Sequence, residues 1–246
     1  MKRLKIGILI PTYNESINSP ILLEKLKSNL ADLKDVEFTI LIVDDNSPDG
    51  TSQIVKNVAK KLNSSHFKIN VLDRKTKDGY GRACVAGMLF LIEKGVDKVL
   101  TMDADLSHNP KYIKEFIKAS KKSDLIIGSR YIRGGDTPDW PLIRKFLSKY
   151  GNYYARLFLG SKIADYTGGF NMYDRQLIHD IDLKNIKSTG YGFLIELKFK
   201  ASQKSKSISQ IPIIFRDRQH GKSKIPKNTL IKNLLLVPRL RISEHK

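Results

Sequence analysis

The chain alternates short apolar runs with amphipathic stretches, and this alternation restricts the fold more than any single motif does. Five runs have the length and composition of buried parallel strands, and they cover Lys5–Ile10, Phe38–Val43, Lys68–Leu72, Lys98–Met102 and Asp124–Gly128. A helix-like stretch follows each of the first four runs. Strands that alternate with helices in this way predict an α/β fold with a mostly parallel sheet.

Polar clusters stand where three of these strands end. They comprise Pro11–Glu15 after the first strand, Asp44–Asp49 after the second, and Asp103–Ser107 after the fourth. Ligands of open α/β sheets bind in the crevice outside the carboxyl ends of the strands. The positions of these clusters therefore predict one binding site at this edge of the sheet.

The Asp103-Ala104-Asp105 segment carries the most specific chemistry in the chain. Two carboxylates one residue apart at a strand end can face one hard cation once the strand turns, and Mg²⁺ is often completed by substrate phosphates. The alternative interpretation is that one Asp caps the helix that Pro110 opens while the other is solvated. The neighbouring polar strand ends favour the metal–diphosphate interpretation.

A dinucleotide-binding Rossmann fold is the obvious competitor, and the first turn argues against it. The Gly-x-Gly-x-x-Gly fingerprint should follow the first strand, but Pro11-Thr-Tyr-Asn-Glu15 stands there. After Gly128 the regular alternation stops. The remaining pattern predicts a long helix over Leu142–Leu159 and a final strand over Ile208–Phe215.

Charge is the outstanding feature of the composition. The 246 residues carry a net charge of +19 with a pI near 9.8, which favours anionic partners such as phosphorylated ligands, nucleic acid or an acidic membrane surface. Cys84 is the single cysteine, so a disulfide framework is excluded and a reducing compartment is indicated. The sequence contains neither a signal-peptide pattern nor an apolar run of about 20 residues, so we expect a chain that does not span a membrane.

Nine motifs, taken together, resemble those of the family-2 glycosyltransferases of the GT-A fold, and among these the polyprenol (dolichol) phosphate mannose synthases. They extend from Lys5 to about Lys224 and read PTYNE, VDDNSPDGT, DGYGRA, MDADLSHNP, IGSRYIRGG, WPLIRKFLS, YTGGFNMY, GYGFLIE and FRDRQHGKSK. The resemblance implies a Rossmann-like GT-A catalytic domain over residues 1–224.

The resemblance also implies a role for individual residues on the donor side. Asp103 would contact the nucleotide sugar and Asp105 would ligate Mg²⁺ or Mn²⁺. Some relatives have a Gln as second metal ligand where this chain has Ser107, which leaves direct ligation or a bridging water open. Arg218 and Lys224 would neutralise the leaving diphosphate. The nucleotide-sugar pocket would be formed by Pro11, Tyr13, Glu15, Val43, Asp44, Asp45 and Ala104 together with the two aspartates.

On the acceptor side, the resemblance assigns the phosphate of the acceptor to Arg130, Arg144 and Ser148. For Arg144 the alternative is a solvated helix face, since charged residues are mostly exposed. Arginine suits a phosphate because its planar fork binds oxygens in pairs.

The expected reaction is an inverting, metal-dependent transfer of mannose from GDP-mannose to a polyprenol phosphate. An ionised phosphate needs no general base, so proximity and orientation carry the attack. The alternative donor is UDP-glucose with the same acceptor. A nucleic-acid-binding protein is a different class that the charge allows, but no recognised binding motif supports it, and we expect no nucleic-acid partner.

A polyprenol phosphate lies in a bilayer, so we expect peripheral binding at the cytoplasmic face of a membrane. Residues 225–246 form a basic tail, in which Pro226–Val237 predicts an amphipathic helix ended by Pro238. Its apolar face would hold Leu230, Ile231, Leu234 and Leu235. The alternative is that this helix packs on the domain or on a partner chain, and a membrane-anchoring protein is a possible partner.

Overall fold

A computed structural model describes residues 3–160, 162–218 and 229–243, with the side chains of Tyr191, residues 229–233 and Ser243 outside the description. Of the predicted residues, Lys224 and both ends of the predicted tail, residues 225–228 and 244–246, lie outside the described ranges, as do the side chains of Leu230 and Ile231. No helix of the described part is long and apolar enough to cross a membrane.

One seven-stranded sheet forms the centre of the molecule, in the order β3-β2-β1-β4-β6-β5-β7. All neighbouring pairs are parallel except those of β6, which runs antiparallel to both β4 and β5. The strands are β1 Leu4–Thr12, β2 Val36–Asp44, β3 Phe67–Asp73, β4 Lys98–Thr101, β5 Leu125–Ser129, β6 Asn171–Asp174 and β7 Ile208–Pro212. The six strands predicted from the sequence are present, but β7 ends at Pro212 and not at Phe215 as predicted. The strand β6 was not predicted.

Helices cover both faces of this sheet. They are α1 Asn18–Leu30, α2 Thr51–Leu62, α3 Tyr80–Glu93, α4 Ile113–Ala119, α5 Leu142–Leu159, α6 Arg175–Asp180, α7 Tyr191–Lys204 and α8 Thr229–Ser243, with short 3₁₀ helices at Pro110–Tyr112 and Leu183–Asn185. The predicted long helix over Leu142–Leu159 is confirmed as α5.

Two hydrophobic cores lie on opposite faces of the sheet, as the alternation of side chains along a strand requires. Ile6, Ile8 and Ile10 of β1 belong to the core with α1, α2 and α4, whereas Leu9 belongs to the core with α3, α5, α7 and α8. Because the strands are buried on both faces, their sequences are continuously apolar rather than alternating. The resulting three-layer packing fixes the carboxyl ends of the strands, on which the polar clusters stand.

The C-terminal helix differs from its prediction at Pro238. The sequence predicted an end at Val237, but α8 continues through Pro238 to Ser243. Proline inside a helix removes one backbone hydrogen bond and crowds the preceding turn. Val237 and Leu240, on either side of it, are buried in the core against α5 and α7, and their burial offsets that cost.

Candidate active site

The Asp-x-Asp segment leaves the sheet directly after β4. The Met102 amide still donates to the carbonyl of Leu9, and the chain then turns sharply, with Leu106 in the left-handed region at φ 66°. Thr101 Oγ1 donates to the carbonyl of Gly169 at 2.7 Å, which ties the segment to the turn before β6. The two carboxylates therefore stand at the carboxyl edge of the sheet, where the sequence predicted the site.

Asp105 lies between a hydroxyl and a guanidinium. Its Oδ1 accepts from Ser107 Oγ at 2.6 Å and from the Ser107 amide at 3.2 Å, and its Oδ2 lies 3.3 Å from Arg218 Nη2. Ser107 thus orients the Asp105 carboxylate in this structure. Arg218, which comes from the loop after β7, is thereby brought to the Asp-x-Asp segment, and its role toward a diphosphate stays a prediction.

The carboxyl group of Asp103 lies beside the negative charge of Asp105, and its pKa is raised. Burial, and then the neighbouring charge of Asp105, raises the pKa of Asp103 to about 7. Gly169 lies so close that a Cβ there would be 3.0 Å from Asp103 Oδ1 and 2.9 Å from the Tyr80 hydroxyl oxygen. An added cation would relieve the repulsion between the two carboxylates.

The donor set fits a hard divalent cation that is shared with a substrate. Among the described residues no group of three His, Cys, Asp or Glu side chains is placed to hold a metal ion. Mg²⁺ is commonly held by one or two carboxylates, with water and substrate phosphates completing its shell. Asp105, with Asp103 beside it, supplies such a partial shell, and Ser107 would act through Asp105.

His108 supports the segment from within the core. Its Nδ1 accepts from the Asp103 amide at 3.0 Å, and its ring stacks on Phe170 with centroids 5.0 Å apart. Burial lowers the pKa of His108 to about 4, so the ring is neutral at pH 7. Because Nδ1 accepts a hydrogen bond, the proton of the neutral ring is assigned to Nε2.

Asp44 and Asp45, at the end of β2, are buried and fully engaged with neighbouring loops. Asp44 accepts from Thr12 Oγ1 at 3.0 Å and from Ser47 Oγ at 2.6 Å. Asp45 accepts from the Gly79 amide at 2.8 Å and pairs with Arg74. Both aspartates therefore fix the loops that border the predicted nucleotide pocket.

The remaining nucleotide-pocket residues gather at the same edge. Pro11 is the register partner of Val43 in the β1–β2 pair. Lys77 Nζ lies 3.7 Å from the centroid of the Tyr13 ring, and Glu15 accepts from Asn18 at 2.7 Å. The structure thus brings the predicted nucleotide residues to one edge of the sheet, in agreement with the strand-end argument.

The three predicted acceptor-phosphate residues are linked through two aromatic rings, because Arg130 and Arg144 lie over Trp140 while Arg130 and Ser148 both contact Tyr131. The guanidinium carbons of Arg144 and Arg130 lie 3.8 and 5.3 Å from the centroid of the Trp140 ring. Ser148 Oγ accepts from the hydroxyl of Tyr131 at 2.6 Å. Arg144 is exposed and also pairs with a carboxylate, Asp217, at 2.9 Å.

Arg130 belongs at the same time to a buried ion network that the sequence did not predict. Its Nε and Nη2 donate to the two oxygens of Asp165 at 2.7 and 2.8 Å. Lys198, fully buried on α7, donates to the carbonyls of Asp165 and Gly168 at 2.7 and 2.6 Å. These contacts hold the turn that carries Gly169 against Asp103.

A signal for Lys198 was present in the sequence. It stands four residues after Leu194 and three before Ala201, so helical spacing places it on the buried face of α7. Burial lowers the pKa of Lys198 to about 7, which reflects the cost of a cation in this position. A lysine at a core position of a helix therefore indicates a buried polar network.

Sequence comparison identifies relatives over most of the chain. Residues 7–182 match the family model described as glycosyl transferase family 2. A protein of Micrococcus luteus named undecaprenyl-phosphate mannosyltransferase is 38% identical over 222 residues, which cover 90% of this chain and 88% of the relative. A protein of Mycolicibacterium smegmatis named polyprenol monophosphomannose synthase is 36% identical over 219 residues, 89% of this chain and 80% of the relative.

Structural comparison finds the same fold in more distant proteins. Mannosyl-3-phosphoglycerate synthase from Rubrobacter xylanophilus superposes with a TM-score of 0.66 at 17% identity, over 99% of this chain and 74% of that one. Glucosyl-3-phosphoglycerate synthase from Mycobacterium tuberculosis, crystallised with Mn²⁺ and UDP, superposes with a TM-score of 0.65 at 18% identity. This match covers 98% of this chain and 79% of that one. At these identities the likeness concerns the fold alone, and it confirms the predicted GT-A architecture.

Proposed function

The chain belongs to glycosyltransferase family 2, and from this premise we propose that it transfers mannose from GDP-mannose to a polyprenyl phosphate with inversion. Two relatives above 35% identity, covering about nine tenths of the chain, are named for mannosyl transfer to undecaprenyl phosphate and for polyprenol monophosphomannose synthesis. The observation that carries the proposal is the approach of Arg218 to the Asp-x-Asp carboxylates at the carboxyl edge of the sheet.

The donor side of this reaction must stabilise a departing nucleoside diphosphate. Asp103 would contact the sugar nucleotide, while Asp105, which accepts from Ser107, would hold a divalent cation, Mg²⁺ or Mn²⁺. When bound, that cation supplies Lewis-acid stabilisation of the diphosphate charge. Arg218 adds a fixed positive charge on the same side, and Lys224 is proposed to do so as well, although it lies outside the described residues.

The acceptor side needs orientation rather than proton transfer. A phosphate monoester is already ionised at pH 7, so its oxygen can attack the anomeric carbon without a general base. Arg144, which lies over the Trp140 ring, and Ser148, which accepts from the Tyr131 hydroxyl, are proposed to hold the phosphate. Arg130 is proposed as the third phosphate-binding residue, and its guanidinium is paired with Asp165 in this structure.

A single in-line displacement inverts the sugar, so an α-linked donor gives a β-linked lipid-phosphate mannose. We place residues 1–224 in the catalytic domain and residues 225–246 in a basic tail beside the membrane. The enzyme would act at the cytoplasmic face, where nucleotide sugars are available to a peripheral protein.

The decisive experiment measures sugar transfer to a polyprenyl phosphate with GDP-mannose and, in parallel, with UDP-glucose, in the presence of Mg²⁺ or Mn²⁺. We expect transfer from GDP-mannose only, and a loss of at least about 100-fold in Asp105→Ala. Asp32→Ala is the matched control, because Asp32 lies in the turn between α1 and β2 and forms an exposed ion pair with Lys114. Transfer from UDP-glucose alone would assign the alternative donor, and transfer from neither would overturn the proposal.

A further inference from the structure

The outer face of α5 is apolar, although this helix lies on the surface of the molecule. Six large side chains on it, Leu142, Ile143, Phe146, Tyr150, Tyr153 and Leu157, are between 55% and 84% exposed. Single exposed hydrophobic residues are common on soluble proteins, but a contiguous group of this size marks an interaction surface. The outer face of α5 therefore needs a partner.

Helical geometry separates α5 into two distinct faces. Asn152, Ala155 and Leu159 are buried and fix the orientation of the helix on the domain. With 100° per residue, the six side chains lie within an arc of about 100° on the opposite side. Leu147 and Phe158, which are 45% and 43% exposed, extend this arc to about 160°. The helix thus packs on the protein with one face and presents a second, larger apolar face outward.

The charges at the borders of this arc are all basic. The sequence of α5 contains Arg144, Lys145, Lys149 and Arg156 and no Asp or Glu. Lys149 and Arg156 are exposed, while the other two contact carboxylates of neighbouring loops. An apolar face with basic borders is typical of helices that lie in the plane of a membrane, with the apolar side about 5–10 Å deep.

We propose that α5 is the element that docks the enzyme on an anionic lipid surface. A second copy of the chain is disfavoured as the occupant, because it would oppose two basic helices on two chains of high positive charge. The sequence had assigned membrane contact to the C-terminal segment. In the structure Val237 and Leu240 of α8 face the core, while Leu234 and Leu235 of its predicted apolar face are exposed. Tyr154 of α5 donates to the Leu234 carbonyl, so α8 packs beside α5 and its own membrane contact stays a prediction.

This inference rests on the proposed function and gives it a geometric reason. Arg144 and Ser148, the proposed phosphate ligands, are on the same helix as the apolar face. Insertion of α5 would bring these two residues to the level of lipid headgroups, where the phosphate of a membrane-embedded acceptor lies. The helix would bind the surface and receive the acceptor in one orientation.

The test uses the full chain and vesicles of phosphatidylcholine, with and without an equal part of phosphatidylglycerol. We expect Ile143→Glu/Leu157→Glu to weaken binding to the anionic vesicles at least about tenfold. Lys149→Gln/Arg156→Gln should weaken binding to anionic vesicles only, and should do so less at high salt. Ile17→Glu, at an equally exposed apolar residue outside α5, is the matched control and should bind as the wild type does.

Two further measurements separate the possible failures. The Ile143→Glu/Leu157→Glu variant should retain transfer to a short, water-soluble isoprenyl phosphate and lose transfer to a vesicle-embedded acceptor. A wild-type enzyme inactive on both acceptors would refute the proposed function and leave vesicle binding as the test of α5.

Unchanged vesicle binding by the Ile143→Glu/Leu157→Glu variant would overturn the α5 inference. A loss of binding in Ile242→Glu of α8 alone would overturn it as well. Conversion of a wild-type dimer to a monomer, with vesicle binding intact, would assign the face to a second copy instead.

Discussion

Asp165→Asn tests how much the buried ion pair between Asp165 and Arg130 stabilises the folded protein. Asp165 is fully buried and accepts hydrogen bonds from the Arg130 side chain and amide and from the amides of Thr167 and Gly168. Burial alone would raise the pKa of this carboxyl, but the charges of Arg130 and then Lys198 hold it well below its usual range. The substitution leaves the Arg130 cation buried without its counter-charge.

The magnitude follows from the cost of breaking a buried ion pair, about 3–5 kcal/mol. A chain of this length loses about 2–4 °C in Tm for each kcal/mol, so Asp165→Asn should lower Tm by about 6–20 °C. Thermal unfolding followed by circular dichroism at pH 7 measures this effect. Asp32→Asn, which removes an exposed partner of Lys114, is the matched control and should leave Tm unchanged.

The pair of Asp165 and Arg130 also makes the stability of the protein depend on pH. Because the folded pKa of Asp165 is depressed, its contribution is present above the pKa of an unfolded Asp, about 4, and is lost as the pH falls through the lower folded value. The difference between wild type and Asp165→Asn should therefore shrink in acid. A Tm within about 2 °C of wild type at pH 7 would refute the reasoning, as would an Arg130→Met/Asp165→Asn variant no more stable than Asp165→Asn.

Three further predictions concern the site and the core. Gly169→Ala should lower kcat by about 10-fold because its Cβ, 3.0 Å from Asp103 Oδ1, displaces that carboxyl group. Gly151→Ala, which meets no atom within 4 Å, should retain full activity, and equal rates for the two variants would contradict the crowding argument. Burial lowers the pKa of folded His108 to about 4, below the value in the unfolded chain. Between pH 6.5 and 4 the free energy of unfolding, measured with urea, should therefore fall by about 3 kcal/mol more in the wild type than in His108→Asn. An equal fall in both proteins would exclude this linkage. Burial raises the pKa of Cys84 well above its ordinary value, so iodoacetamide should label it only after unfolding, and rapid labelling of the native chain would disprove its burial.

The sequence predicted the fold well where the determining interactions are local. The strands β1 to β5 are continuous apolar runs followed by polar turns, and their bounds agree with the structure within a few residues. β6 has only four residues and its position depends on pairing with two strands that precede it by more than 40 residues. Such non-local pairing leaves no periodic pattern in a short segment.

In the candidate site, the positions of residues at strand ends could be predicted from the sequence, but the long-range partners of these residues could not. Convergence of strand ends placed the aspartates and the nucleotide-pocket residues at one edge without knowledge of the structure. The Arg130–Asp165 pair joins residues 35 positions apart, so the motif around Arg130 alone suggested a phosphate ligand and not an internal counter-ion. The outward apolar face of α5 could not be recognised either, since periodicity identifies an apolar stripe but not whether a core covers it.

The antiparallel strand β6 also determines the order in which this enzyme can be completed during synthesis. β4 and β5 are not paired with each other, because β6 lies between them and hydrogen-bonds to both. Until the ribosome has released residues up to Asp174, both strands present unpaired edges, which are aggregation-prone. The turn carrying Gly169 arrives with that same segment, so a nascent chain joins β5 to the rest of the sheet and places Gly169 against Asp103 together, before β7 adds to the other edge of β5.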